Sequence, residues 1–204
     1  VEVYESNKLW DIKQVDNGNP VFNYLFHKHP ERTSKPIGKG IYMWVANLLD
    51  GTKLVCYTGS YKNNKGYNKV LEDRWQNHIN SKTHRGIKLG FGTDQKFIKR
   101  FKPIFEQYNI PHSPEIMEGH ITKSFAQSTA NRAHFSFKYW DLLDMSNPFT
   151  IYWFATELDA KEIERIELEK INPVINGEIN DEYDSTRPTM SVVDALDLIK
   201  KELY

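Results

Sequence analysis

The chain has 204 residues, 39% of them hydrophobic and 26% charged, with 27 basic side chains against 27 acidic ones and a formal net charge of zero. That is enough for one hydrophobic core and cramped for two independent domains, and the composition is that of a folded protein rather than a disordered or fibrous one. No apolar run approaches the ~20 residues of a membrane span and no signal-peptide series opens the chain, while the single cysteine, Cys56, excludes an internal disulfide and a cysteine-rich zinc site, so a cytoplasmic protein with no membrane partner is expected.

Charge is unevenly spread. Between Tyr61 and Lys102 eleven Lys or Arg stand against three acids, a surplus of eight that the rest of the chain must offset. A basic segment beside an acidic remainder suggests one surface that faces phosphate, although a solvated helix face would give the same count.

In chain order, residues 1 to 35 are polar and irregular with aromatic anchors (Trp10, Phe22, Tyr24, Phe26), and they read as an arm packed on the core. From Gly40 the pattern sharpens into two β-rich runs, Ile41 to Val45 and Leu54 to Tyr57, with Asp50-Gly51 between them. Asp-Gly is a hairpin signal, because both central residues of a type I′ turn need positive φ. A two-residue loop there pairs Leu49 with Thr52, Trp44 with Tyr57 and Tyr42 with Gly59. Tyr42, Trp44 and Tyr57 then share one face, with Tyr42 diagonal to Tyr57 at about 7 to 8 Å. Strand tyrosines of this kind also serve simply as core.

A helix is predicted from about Lys69 to Ser81, with Leu71, Trp75 and Ile79 at burial spacing and Arg74 and His78 one turn apart beside them. Residues 82 to 148 mix basic, glycine-rich and aromatic stretches with proline breaks and read as an insertion. After Asn147-Pro148 comes a buried strand, Phe149 to Ala155, and then a helix from Ala160 to Ile171, capped by Asp159 or Thr156 and stopped by Asn172-Pro173. Its apolar stripe is Ala160, Ile163, Ile166, Leu168 and Ile171. Glu162 and Glu169 point away from that stripe, whereas Glu164 borders it and Glu167 enters it. Carboxylates there are costly unless paired or bound to metal. Ser191 with Asp194 forms a capping box for a last helix to about Leu203.

The series Gly40-Ile41-Tyr42, Tyr57-Thr58-Gly59, Arg74 with His78, and Glu164 with Pro173 and Asn176 resembles the GIY-YIG nuclease superfamily. The resemblance covers roughly residues 38 to 81 and 149 to 176, and its specificity lies in the order of the motifs, not in any one of them. Thr58 stands where the family usually has an aliphatic residue, and the interval from Arg74 to Glu164 is long.

The resemblance implies an α/β (α+β) single domain with a central three-stranded antiparallel sheet flanked by helices. Residues 36 to 81 and 149 to 180 would form the catalytic core, 1 to 35 the arm, 82 to 148 an insertion for target recognition and 181 to 204 the C-terminal helix.

It further implies Mg²⁺- or Mn²⁺-dependent hydrolysis of duplex DNA. Glu164 would hold the metal, Arg74 would contact the scissile phosphate, a motif tyrosine would assist attack by water, and His78 and Asn176 would complete the site. A hard cation keeps several waters and can make do with one protein carboxylate, and the arginine fork matches two phosphate oxygens. A phenol is a poor base at its free pKa near ~10, so Tyr42 needs a partner for its proton or a nearby cation, and Lys62, Lys65 and His78 are candidates. Glu167 competes with Glu164, but the interval to Pro173 and Asn176 favours Glu164. Arg85, Lys88, Lys96, Lys99, Arg100, Arg132 and Lys138 are candidate DNA contacts.

A compact chain with recognition in an insertion looks like a type II restriction endonuclease of this superfamily, for which a homodimer suits a symmetric target. A phage or mobile-element nuclease, a catalytically silent DNA-binding regulator on the same scaffold, and cleavage of RNA are the alternatives.

Overall fold

In chain order the elements are β1 (Glu2–Glu5), a one-turn helix α1 (Ser6–Leu9), β2 (Trp10–Gln14), β3 (Pro20–Tyr24), β4 (Gly40–Asn47), β5 (Lys53–Tyr61), a π-helical segment (Val70–Trp75), β6 (Phe149–Ala155), α2 (Ala160–Ile171) and α3 (Val192–Leu203). They come from a computed structural model that describes residues 1–14, 20–24, 36, 38–62, 70–75, 139, 142–175 and 187–204. The expected insertion lies almost wholly outside these residues. Among the described residues no helix is long and apolar enough to cross a membrane.

The fold is α+β. Its main sheet is antiparallel with strand order β1-β6-β4-β5, four strands rather than the expected three. The extra strand comes from the arm: Glu2 to Glu5 pair with Trp153 to Thr150, and β2 and β3 form a separate two-stranded ribbon. The described part of the arm, residues 1–14 and 20–24, therefore forms strands where its polar composition suggested irregular chain. Burial of one side chain in each strand repeat suffices for an edge strand, and Tyr4 supplies it, packing edge-on against Trp75 at 5.4 Å between ring centroids.

Two cores sandwich the sheet. On one face Ile41, Met43, Val45, Val55 and Phe154 meet Ala160, Ile163 and Ile171 of α2 and Ala195, Ile199 and Leu203 of α3. The other face is aromatic: Trp10, Tyr42, Trp44, Trp75, Phe149 and Trp153 are all buried there, with Leu9, Val70, Leu71, Val174 and Ile175. The strict alternation of β4 between these two sets is what a strand covered on both sides requires.

The hairpin departs from the expected two-residue turn. Gly51 donates to the Leu48 carbonyl (2.9 Å) and Leu48 donates to the Thr52 carbonyl (2.9 Å), so the loop holds three residues, Leu49 to Gly51. Only Gly51 adopts positive φ, at 83°, as a three-residue loop with a left-handed last position requires, and the Asp50 side chain accepts from the Thr52 amide (2.8 Å).

That turn shifts the register by one: Asn47 pairs with Lys53 and Val45 with Val55. A bulge then restores it, since Trp44 pairs with Tyr57 and Cys56 is the extra residue. Because a one-residue slip exchanges the faces of a strand, the bulge is what brings Tyr57 onto the aromatic face with Tyr42. The Cys56 carbonyl accepts from the Ile175 amide (2.7 Å), and its thiol donates to the Trp44 carbonyl (3.3 Å). Cys56 is thus a buried core side chain, and burial drives its thiol pKa far up.

Both later helices run as expected. Asp159 caps α2 by accepting from the Lys161 amide (2.9 Å), and Asn172, at φ 52°, ends it in the left-handed conformation. Ser191 accepts from the Asp194 amide (3.2 Å) and donates to its carboxylate (2.6 Å), closing the start of α3. Where a regular α-helix was expected from residue 69, the described part is a π-helix, whose i→i+5 repeat aligns Val70 with Trp75, both fully buried.

Candidate active site

Gly59 organises the centre of the site. A Cβ placed on it falls 2.5 Å from both Cζ and the hydroxyl oxygen of Tyr42, so the Tyr42 ring lies directly on the backbone of β5. The φ of Gly59 is not positive, which makes its role one of space rather than of conformational freedom. Gly40 does the same one strand over, where a Cβ would fall on the Phe154 carbonyl and the Trp153 ring. Each motif glycine thus lets a neighbour approach a strand at van der Waals distance.

Tyr42 is almost fully buried, at 1% exposure, stacked on Tyr57 (centroids 6.1 Å, 23° between planes) and met edge-on by Trp75 at 5.9 Å. Tyr57 is only partly buried. Trp75 also packs edge-on against Trp44 and Trp153, each at 6.4 Å. This anchoring holds its neighbour Arg74, whose side chain is exposed, at the rim of the aromatic face. Thr58, opposite Met43, is fully buried toward the other core, as alternation from Tyr57 requires.

Glu164 arrives from α2. It is 5% exposed, and its Oε2 accepts a hydrogen bond from Ser60 Oγ, a serine that is itself buried. The Lys161 ammonium lies 3.6 Å from the same oxygen. Ser60 follows Gly59 on β5, an edge strand of the sheet, so the carboxylate and the phenol approach from opposite faces around one bare stretch of strand.

The charges of both Arg74 and Glu164 are felt at the Tyr42 hydroxyl. Burial raises its pKa well above the ordinary 10.0, the neighbouring Tyr57 adds to the rise, Arg74 opposes it, and Glu164 and a hydrogen bond with Tyr57 raise it further. Burial thus works against ionisation of Tyr42, opposite to the lowering that action as a base would need. A consequence is testable. A phenol whose folded pKa exceeds its unfolded value contributes stability that is complete below ~10 and is lost as pH rises toward the folded value. Unfolding free energies from urea titrations between ~pH 8 and ~pH 11 should fall more steeply for the wild type than for Tyr42→Phe, by up to ~1.4 kcal/mol per pH unit. Parallel curves would refute the burial of an ionisable phenol here.

Lys62 pairs with Asp159 at 2.6 Å, tying the end of β5 to the first turn of α2. That pair clamps the helix that carries Glu164. His78, Lys65, Asn176 and the candidate DNA contacts Arg85, Lys88, Lys96, Lys99, Arg100, Arg132 and Lys138 lie outside the described residues, as does the side chain of Glu167. Sequence reasoning missed Ser60, Lys161 and Trp75 as parts of the site. Ser60 directly after the motif glycine and Lys161 at i,i+3 from Glu164 were legible as pattern, but neither spacing is specific.

Among the described residues no group of three or more His, Cys, Asp or Glu gathers as a metal site. Among the described residues the donors are one shielded carboxylate and a hydroxyl on an edge strand, the oxygen ligands that a hard cation prefers. No protein-family model matches the chain, and no curated protein or solved structure does either.

Proposed function

We propose that this chain is a metal-dependent endonuclease that hydrolyses phosphodiester bonds in duplex DNA, of the GIY-YIG type that its motifs resemble. One observation carries the reading: the Tyr42 ring lies on the bare backbone of Gly59, Tyr57 stacks on it, and the charges of Arg74 and Glu164 both act on its hydroxyl, four groups spread over more than a hundred residues of sequence. A structural core has no use for an exposed guanidinium and a shielded carboxylate set about two stacked phenols. Phosphoryl chemistry does, because it needs charge stabilisation and a positioned nucleophile more than it needs covalent catalysis.

The roles follow from the surroundings. Arg74, exposed at the rim, binds and orients two phosphate oxygens. Glu164 holds Mg²⁺ or Mn²⁺, which when bound supplies Lewis-acid stabilisation to the phosphate and leaving oxygen. Tyr57, the more accessible phenol, orients the attacking water. Tyr42 stays protonated behind it and steadies the Tyr57 hydroxyl by hydrogen bond. The finer reading is a type II restriction enzyme acting as a homodimer on a symmetric target, with the basic residues of the 82 to 148 insertion as its DNA contacts.

The test is incubation of the purified chain with supercoiled plasmid and a panel of divalent metals. Cleavage that requires Mg²⁺ or Mn²⁺ and stops on chelation is expected, with discrete fragments from a genome-sized substrate if the target is specific. No cutting with any metal would sink the enzyme reading. Cleavage of matched RNA but not DNA would reassign the substrate.

A further inference from the structure

Two of the groups that hold Glu164 differ in kind. Ser60 is 7% exposed and donates a hydrogen bond to Oε2 from a neighbouring strand. Lys161 reaches the same oxygen from one turn earlier on α2, at 3.6 Å, with half of its side chain in solvent while that of Glu164 is 7% exposed. At that distance the lysine contributes charge attraction rather than a formed hydrogen bond. Its ammonium sits on a flexible, readily hydrated stem and can withdraw into water at little cost.

A carboxylate this shielded needs a counter-charge when no metal is bound. Among the described residues Lys161 is the ammonium paired with it, while Lys62 is engaged by Asp159 at 2.6 Å. A divalent cation at Glu164 would in turn be repelled by an ammonium held so close. Resting on the reading of Glu164 as metal ligand, we propose that Lys161 is a displaceable counter-ion: it neutralises the Glu164 carboxylate in the metal-free protein and must leave when the cation arrives. Ser60 remains as the fixed positioning partner. Lys161 thereby sets how much metal the site needs, and metal occupancy follows both metal concentration and ionic strength.

The experiment measures Mn²⁺ binding to the full chain without DNA, by calorimetry and by the loss of the free-ion paramagnetic resonance signal, for wild type, Lys161→Met, Lys161→Arg and Glu164→Gln. Circular dichroism confirms that each variant is folded. Lys161→Met should bind Mn²⁺ roughly three- to tenfold more tightly than wild type, Lys161→Arg should stay near wild type, and Glu164→Gln should not bind. Should Glu164→Gln bind as wild type does, the ligand assignment itself falls and the counter-ion role with it. Binding that is lost in Glu164→Gln yet unchanged or weaker in Lys161→Met overturns the counter-ion role alone.

Discussion

Glu164→Gln should abolish metal-dependent cleavage, by about 10³-fold or more, while leaving the melting transition nearly unmoved. The size follows from the proposed chemistry: if the carboxylate is the protein ligand of the cation, the Lewis-acid contribution it would anchor is several kcal/mol, at about 1.4 kcal/mol per tenfold in rate. The small effect on stability follows from the surroundings. Glutamine has the same shape, and its amide oxygen can still accept from Ser60 Oγ. Removing a shielded charge relieves a desolvation cost, which offsets the lost attraction to a half-exposed Lys161. Plasmid cleavage rates beside a thermal melt check both halves. Cleavage retained in the variant would shift suspicion to Glu167, and a large drop in melting temperature would mean that the carboxylate is chiefly a structural tie between α2 and β5.

How much of this was legible beforehand differs from element to element, and the differences have physical causes. Helix α2 could be read because its apolar stripe, its Asp159 cap and its Asn172-Pro173 stop are all local, and the same periodicity marked Glu164 as a carboxylate at the edge of the packed side. The pairing of Trp44 with Tyr57 was also expected, yet by an incomplete route. The turn has three loop residues, not two, and a bulge at Cys56 undoes the resulting slip. Bulges depend on what meets the strand edge, here the Ile175 amide on the Cys56 carbonyl, and that partner lies far along the chain.

The arm was misjudged for a related reason. Its strand of four residues shows too few side chains for a period, and its place beside β6 is fixed by Tyr4 reaching Trp75. In the site, the likeness of motif order suggested which side chains would meet. It said nothing of burial, and burial is what raises the Tyr42 pKa while leaving Tyr57 partly accessible.

The glycine of the second motif offers the sharpest test of how the site is built. Gly59→Ala adds one methyl group, and that methyl would lie 2.5 Å from both Cζ and the hydroxyl oxygen of Tyr42, well inside contact distance. The ring has little room to retreat, since Trp75 meets it edge-on at 5.9 Å and Tyr57 stacks on it at 6.1 Å. Either β5 bows away or the phenol is displaced, and over-packing of this kind costs roughly 1–3 kcal/mol. Activity should suffer more than stability, because displacement of about 1 Å at a reacting group costs on the order of 10²-fold in rate. The double variant Gly59→Ala with Tyr42→Leu removes the ring that the methyl strikes. It should regain stability relative to Gly59→Ala without regaining cleavage, giving a favourable coupling in a double-mutant cycle. If Gly59→Ala instead melts and cuts like wild type, Tyr42 does not lie across that strand, and the proposed site loses the contact on which its phenols are set.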